Sequence, residues 1–191
     1  MVRNVGIVVF DGAEELDFVG PFEVFGSASR LDPTSFNVFT VGVTHEPVRC
    51  ASGLRVVADY TLENCPKIDV LVIPGGAGVR TEMHNPNLLG FVEKASRQAD
   101  LVTSVCTGAL VLASAGLLKG RRATTHWGSL DQLKEFPGVT VQHRRYIRQG
   151  NIITAAGISA GIDMALYVVS QFHGNAFKKK TARRMEYRLQ S

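Results

Sequence analysis

Cys106 closes the apolar, β-branched run Leu101-Val102-Thr103-Ser104-Val105 and is followed at once by Thr107-Gly108-Ala109-Leu110-Val111-Leu112-Ala113-Ser114-Ala115-Gly116. A buried strand that turns sharply into a small-residue helix exposes one side chain at the carboxyl edge of a sheet, as in a nucleophile elbow. The helix amides and the positive dipole end would then face the sulfur and favour thiolate. Free cysteines are often inert core residues. That is the expectation for Cys50 and Cys65, whereas the strand–Cys–Thr–Gly–helix context sets Cys106 apart.

Three other segments carry residues able to work with a thiol. Pro74-Gly75-Gly76-Ala77-Gly78 follows the strand Val70–Ile73. It reads either as a tight turn needing positive φ or as backbone amides offered to an anion, as an oxyanion hole requires. It lacks the spacing of a dinucleotide loop and the lysine of a phosphate loop. Glu14-Glu15-Leu16-Asp17 follows the first strand. Loops after parallel strands share one sheet edge, so this acidic group converges with Cys106 and the glycines. A carboxyl group in a partly dry pocket has a raised pKa and can act as general acid or base. The alternative is an N-capping Asp17 beside solvated glutamates. Thr125-His126-Trp127 brings an imidazole that would serve either as a base for Cys106 or in a structural hydrogen bond. His45, His84, His143 and His173 show no metal-ligand spacing.

The elements that must position these residues alternate strand and helix along the whole chain, which predicts a mainly parallel sheet covered by helices. Strands are expected at Asn4–Phe10, Phe36–Val43, Val70–Ile73, Leu101–Val105, Ala123–Thr125, Val139–Gln142, Tyr146–Gln149 and Ile152–Thr154. A small hairpin is expected from Val48–Arg49 and Leu54–Ala58. Helices are expected at Leu16–Ser29, Leu88–Arg97, Ser129–Glu135, Ile158–Phe172 and Ala176–Arg188. Pro21 must lie in the first turn of its helix or break it. No linker, repeat or low-complexity segment divides the chain, so residues 1–191 read as one domain.

At 191 residues, with 45% hydrophobic and 20% charged residues, the composition is that of an ordinary globular α/β domain. No apolar run approaches the roughly 18 residues a spanning helix needs, so no membrane association is expected. Met1–Phe10 is basic then apolar, but Asp11-Gly12-Ala13-Glu14-Glu15 offers no cleavage region, so it reads as a strand and the protein as cytoplasmic. Much of the net charge of +4 collects in Lys178-Lys179-Lys180 with Arg183-Arg184, and in Arg144-Arg145 with Arg148. With no accompanying nucleic-acid motif, these read as solvated faces rather than a polyanion site. The odd cysteine count suits reduced thiols rather than disulfides or zinc.

Taken together, these motifs resemble the ThiJ/PfpI superfamily. The matching segments are Asp11–Asp17 with Gly20-Pro21, Ile73-Pro74-Gly75-Gly76, Ser104-Val105-Cys106-Thr107-Gly108, Gly120-Arg121-Arg122-Ala123-Thr124-Thr125-His126-Trp127 and Gly157-Ile158-Ser159-Ala160-Gly161-Ile162-Asp163. The resemblance implies a flavodoxin-like three-layer α/β/α sandwich with a nucleophile elbow at Cys106. Within the superfamily the chain is most similar to the isocyanide hydratase subgroup. Asp17 stands where the sensor branch carries Glu, and Thr107 stands where the protease-like branch carries His.

The subgroup implies hydration of an isonitrile to an N-substituted formamide, with no metal or cofactor. Carried over, Cys106 attacks the isocyanide carbon and Asp17 supplies the proton and activates water. Amides of Gly76 and Thr107 orient the reacting group, with Gly75 and His126 alongside, and the Thr107 hydroxyl positions water. A small-molecule substrate and a homodimer are the implied partners. The chain ends at Ser191, soon after Met185-Glu186-Tyr187, where the hydratases continue with helical residues that help build the dimer and the pocket rim. Two other functions fit the same residues. One is a ligand-sensing module related to the amino-terminal half of AraC-type regulators. The other is an oxidation sensor in which Cys106 becomes a sulfinate held by the neighbouring carboxyl group.

Overall fold

Val5, Ile7, Val8 and Val9 are inaccessible to solvent although they point alternately to both faces of their strand. A strand buried on both faces requires helices above and below the sheet, and the structure supplies them. In the computed structural model, which describes residues 2–189, seven strands form the main sheet in the order β10-β11-β7-β6-β1-β2-β5. Met1, Gln190 and Ser191, the ends of the expected 1–191 domain, lie outside the described residues.

The strands are β1 (Arg3–Val9), β2 (Phe36–Gly42), β3 (Val48–Arg49), β4 (Arg55–Val56), β5 (Tyr60–Thr61), β6 (Val70–Ile73), β7 (Leu101–Ser104), β8 (Arg122–Ala123), β9 (Thr140–Val141), β10 (Tyr146–Gln149) and β11 (Ile152–Ala155). The helices are α1 (Glu15–Leu31), α2 (Val79–Glu82), α3 (Pro86–Ser96), α4 (Gly108–Ser114), α5 (Leu130–Lys134) and α6 (Ala160–Arg184). All neighbours in the main sheet run parallel except β10 and β11. This is the expected flavodoxin-like α/β/α arrangement.

From β1 the chain adds β2 on one side and β6 on the other. The loops after β1 and β6 therefore diverge across a topological switch point, where open α/β sheets bind their ligands. Main-chain contacts tie these loops together. Glu14 N–H donates to Gly75 O at 2.9 Å, and Ala13 and Gly76 form an isolated bridge.

Several expected boundaries move for local reasons. α3 starts at Pro86 rather than Leu88, because Asn85 accepts the Asn87 N–H at 3.0 Å and Pro86 is preorganised for a first turn. The Ala123–Thr125 strand shrinks to β8, which pairs with β9 in a separate two-stranded sheet. Thr124 and Thr125 spend their hydrogen bonds on other partners. Of the expected Leu54–Ala58 arm only β4 pairs with β3. Pro21 neither sits in the first turn of α1 nor breaks it; the helix runs through it. The two carboxyl-terminal helices meet at Gly174, whose φ of +80° interrupts α6 between the expected Phe172 and Ala176 limits. Two short elements, β5 and α2, carry no periodicity long enough to read from sequence.

Candidate active site

Four loops at the carboxyl edge of the sheet converge on Cys106. The loop after β1 brings Glu14 and Asp17, that after β6 brings Gly75 and Gly76, that after β7 is the elbow itself, and that after β11 brings Ile158. Glu14, Gly76, Cys106, Thr107, His126 and Ile158 line a cavity of about 270 Å³, while Asp17 and Gly75 are not among its lining residues.

The elbow is strained as a nucleophile elbow requires. Cys106 has a φ of +56°, a left-handed conformation that costs a non-glycine residue on the order of 1 kcal/mol or more. The surroundings hold it there. Cys106 N–H is shared between Ala155 O at 3.2 Å and Ala156 O at 3.1 Å, and Thr125 Oγ1 donates to Cys106 O at 2.7 Å. The neighbouring chain must pass very close. A Cβ on Gly75 would lie 2.5 Å from Thr107 N and 2.8 Å from Cys106 Cβ, so only glycine fits.

Asp17 lies in the first turn of α1, where a carboxylate suits the helix dipole. It does not cap that helix, so the capping alternative fails. Its Oδ2 accepts the Gly75 N–H at 2.8 Å, and its Oδ1 is buried without a partner. The residue is 0% exposed. Burial, reinforced by the Glu14 charge, pushes its carboxyl up to about 7, against the opposing pull of the Gly75 hydrogen bond and the Cys106 thiol. Glu14 lines the same cavity, whereas Glu15 Oε1 accepts the Ser52 N–H at 2.7 Å and is structural.

Cys106 is 7% exposed. Burial first, then the Asp17 charge, pushes its thiol up to about 12, although Thr107 and the Ile158 amide oppose the shift. Burial therefore opposes the thiolate that the helix amides were expected to favour, and desolvation outweighs the amides of a short helix. Two anions cannot share so dry a pocket, so Asp17 and Cys106 retain a proton between them. No aligned hydrogen bond joins them in the empty site, and Oδ1 is the acceptor left open.

The two glycine amides expected to form an oxyanion hole are already occupied. Gly75 N–H is held by Asp17, and Gly76 N–H donates to Thr107 Oγ1 at 3.0 Å. Thr107 is thus clamped between the elbow and the glycine turn, and the donors facing the sulfur are the Thr107 and Ile158 amides. Ile158 stood in the Gly157–Asp163 motif, but its place beside the sulfur was not legible in the sequence. Its φ of +39° is one that β-branched residues rarely adopt, and no periodicity signals it. Thr125 stood beside His126 in the motif, but its bond to Cys106 exists only across the fold. His126 lies at the cavity rim, where Nδ1 accepts the Gly128 N–H at 3.2 Å. The imidazole has no hydrogen bond to Cys106, so the structural role fits it better than that of a base. Cys50 is buried and Cys65 half-buried, both away from this cavity. Among the described residues, no group of three or more His, Cys, Asp or Glu is placed to hold a metal ion. Within the same residues, no helix is long and apolar enough to cross a membrane.

The pattern of the DJ-1/PfpI family matches residues 3–171. The chain belongs to the DJ-1/PfpI family. It is 38% identical over 187 residues to an isonitrile hydratase of Pseudomonas putida, covering 98% of this chain and 79% of that one. It is 31% identical to the HTH-type transcriptional regulator CdhR of Pseudomonas aeruginosa, over 91% of this chain but only 52% of the regulator. A crystal structure of a ThiJ/PfpI family protein from Pseudomonas syringae superposes with a TM-score of 0.90 at 31% identity, covering 100% of this chain and 77% of that one. DJ-1/PfpI relatives therefore include an enzyme and a regulator, and the chemistry of this chain has to be argued from its own cavity.

Proposed function

We propose that the protein is an isocyanide hydratase, with Cys106 as nucleophile and Asp17 as the group that moves the proton. The observation that carries this reading is the buried, half-satisfied Asp17 carboxyl group, held by the Gly75 amide and electrostatically coupled to the buried Cys106 thiol. The 38% identity to an isonitrile hydratase supports it. As the substrate carbon approaches, the thiol proton passes to Asp17 Oδ1 and from there to that carbon while the C–S bond forms. The product is a thioimidate, R–N=CH–S–Cys106. Asp17, again a carboxylate, then takes a proton from water that adds to the same carbon. The nitrogen gains a proton, the C–S bond breaks, and the N-substituted formamide leaves with the thiol restored. The Thr107 and Ile158 amides face the sulfur throughout and favour its anionic form at the moment of attack.

The test is formamide formation from a varied panel of aryl and alkyl isocyanides by the wild type, Cys106→Ala and Asp17→Asn. Turnover by the wild type alone supports the reading; a wild type no faster than Cys106→Ala across the panel refutes it. A ligand-sensing role is the second reading, supported by the regulator relative. It predicts saturable isocyanide or amide binding without turnover.

The exposed apolar side chains Leu16, Val19 and Phe22 fall at three-residue spacing on the outer face of α1. They support a homodimer, which sedimentation would show as twice the 20.7 kDa chain mass.

A further inference from the structure

A second cavity, of about 600 Å³, is formed by α3, the segment after β2 and the segment between β5 and β6, and shares no lining residue with the Cys106 site. Its size falls within the range of small-molecule sites. Val43, Leu62, Ile68, Phe91 and Ala95 give it an apolar lining, and Lys94 and Lys67 stand on its rim. Lys67 is tied to Asp69 at 3.3 Å. Lys94 makes no ion pair among the described residues and acts electrostatically on the half-buried Cys65.

Gly90 lies on the exposed edge of this cavity, where a larger side chain would reach over it. It sits inside α3, where glycine costs about 1 kcal/mol relative to alanine. Of the 19 glycines, it alone has neither a positive φ nor any atom within 4 Å of where a Cβ would stand. A side chain at this exposed position would stand in open space beside the cavity that Gly90 lines.

We propose that this cavity binds a small apolar monocarboxylate, its hydrocarbon part against Phe91 and Ile68 over Gly90 and its carboxylate on Lys94. One carboxylate of the protein, Glu63, also lines the rim and disfavours a polyanion. The site is independent of the Cys106 chemistry, so its test reads no turnover.

Cys65 lines the cavity and reports its occupancy. Its alkylation by iodoacetamide, followed by peptide mass spectrometry, is measured with octanoate and with octylamine as probes. Octanoate should slow alkylation saturably, at a concentration roughly ten-fold below that needed for octylamine. Lys94→Glu should reverse this preference, and Gly90→Leu should abolish protection by both probes. Circular dichroism confirms that each variant is folded; both positions are exposed, and a leucine at Gly90 meets no backbone. Absence of protection by octanoate, equal protection by octylamine, or protection surviving in folded Gly90→Leu would overturn the proposal.

Discussion

Gly75 gives its amide proton to Asp17 Oδ2 at 2.8 Å, and this bond fixes the carboxyl group with Oδ1 turned to an unsatisfied, buried position. The glycine turn thus spends one amide on Asp17 and the other on Thr107. Backbone geometry after β6 fixes where the Asp17 carboxyl group sits beside the elbow.

Asp17→Asn retains an oxygen for the Gly75 amide but cannot carry the proton. Its isocyanide hydration should fall by about 10²–10⁴-fold, the usual contribution of a positioned acid or base. Steady-state formamide formation checks this, and near-wild-type turnover would remove Asp17 from the chemistry.

The pH dependence has a definite sign. Attack requires that the Asp17–Cys106 pair hold one proton, not two. Below about 7 both groups are protonated, and neutral thiol is a poor nucleophile. Accordingly kcat/KM should rise as pH increases through about 7 and then level off. Asp17→Asn should lose this limb.

Stability moves the other way. The fold keeps Asp17 protonated at pH values where an unfolded carboxyl group, ordinarily at 3.8, has released its proton. Its contribution is complete below that value and is lost as pH rises through about 7, by linkage. Urea unfolding should show the wild type losing stability relative to Asp17→Asn across this window, and the gap should stay constant above it.

The elbow gives two mechanical tests. Thr125→Val leaves the Cys106 carbonyl without its hydroxyl donor and should cost about 1–3 kcal/mol in urea unfolding. Gly75→Ala forces a methyl group to within 2.5 Å of Thr107 N and should cost about 1–3 kcal/mol and displace the sulfur. Its activity loss should exceed that of Thr125→Val.

The central strands were legible because they are short, largely apolar runs, and β6 lies at Val70–Ile73 as its composition predicts. Cys106, Thr107, Gly75, Gly76 and Asp17 were legible because each follows such a strand. Their hydrogen-bond partners were not. Asp17 meets Gly75 across 58 residues and Thr125 meets Cys106 across 19, and no local pattern encodes such pairings. The state of the thiol is hidden from the sequence for the same reason. A helix start can be read from sequence, but the desolvation that outweighs it depends on what the fold packs around the sulfur.

The most direct measurement is a single-turnover reaction of the wild type with one aryl isocyanide, quenched and mapped by peptide mass spectrometry. An adduct of the full isocyanide mass should form on Cys106 and decay as the formamide appears. Formamide produced at the wild-type rate by Cys106→Ala would contradict Cys106 as the nucleophile.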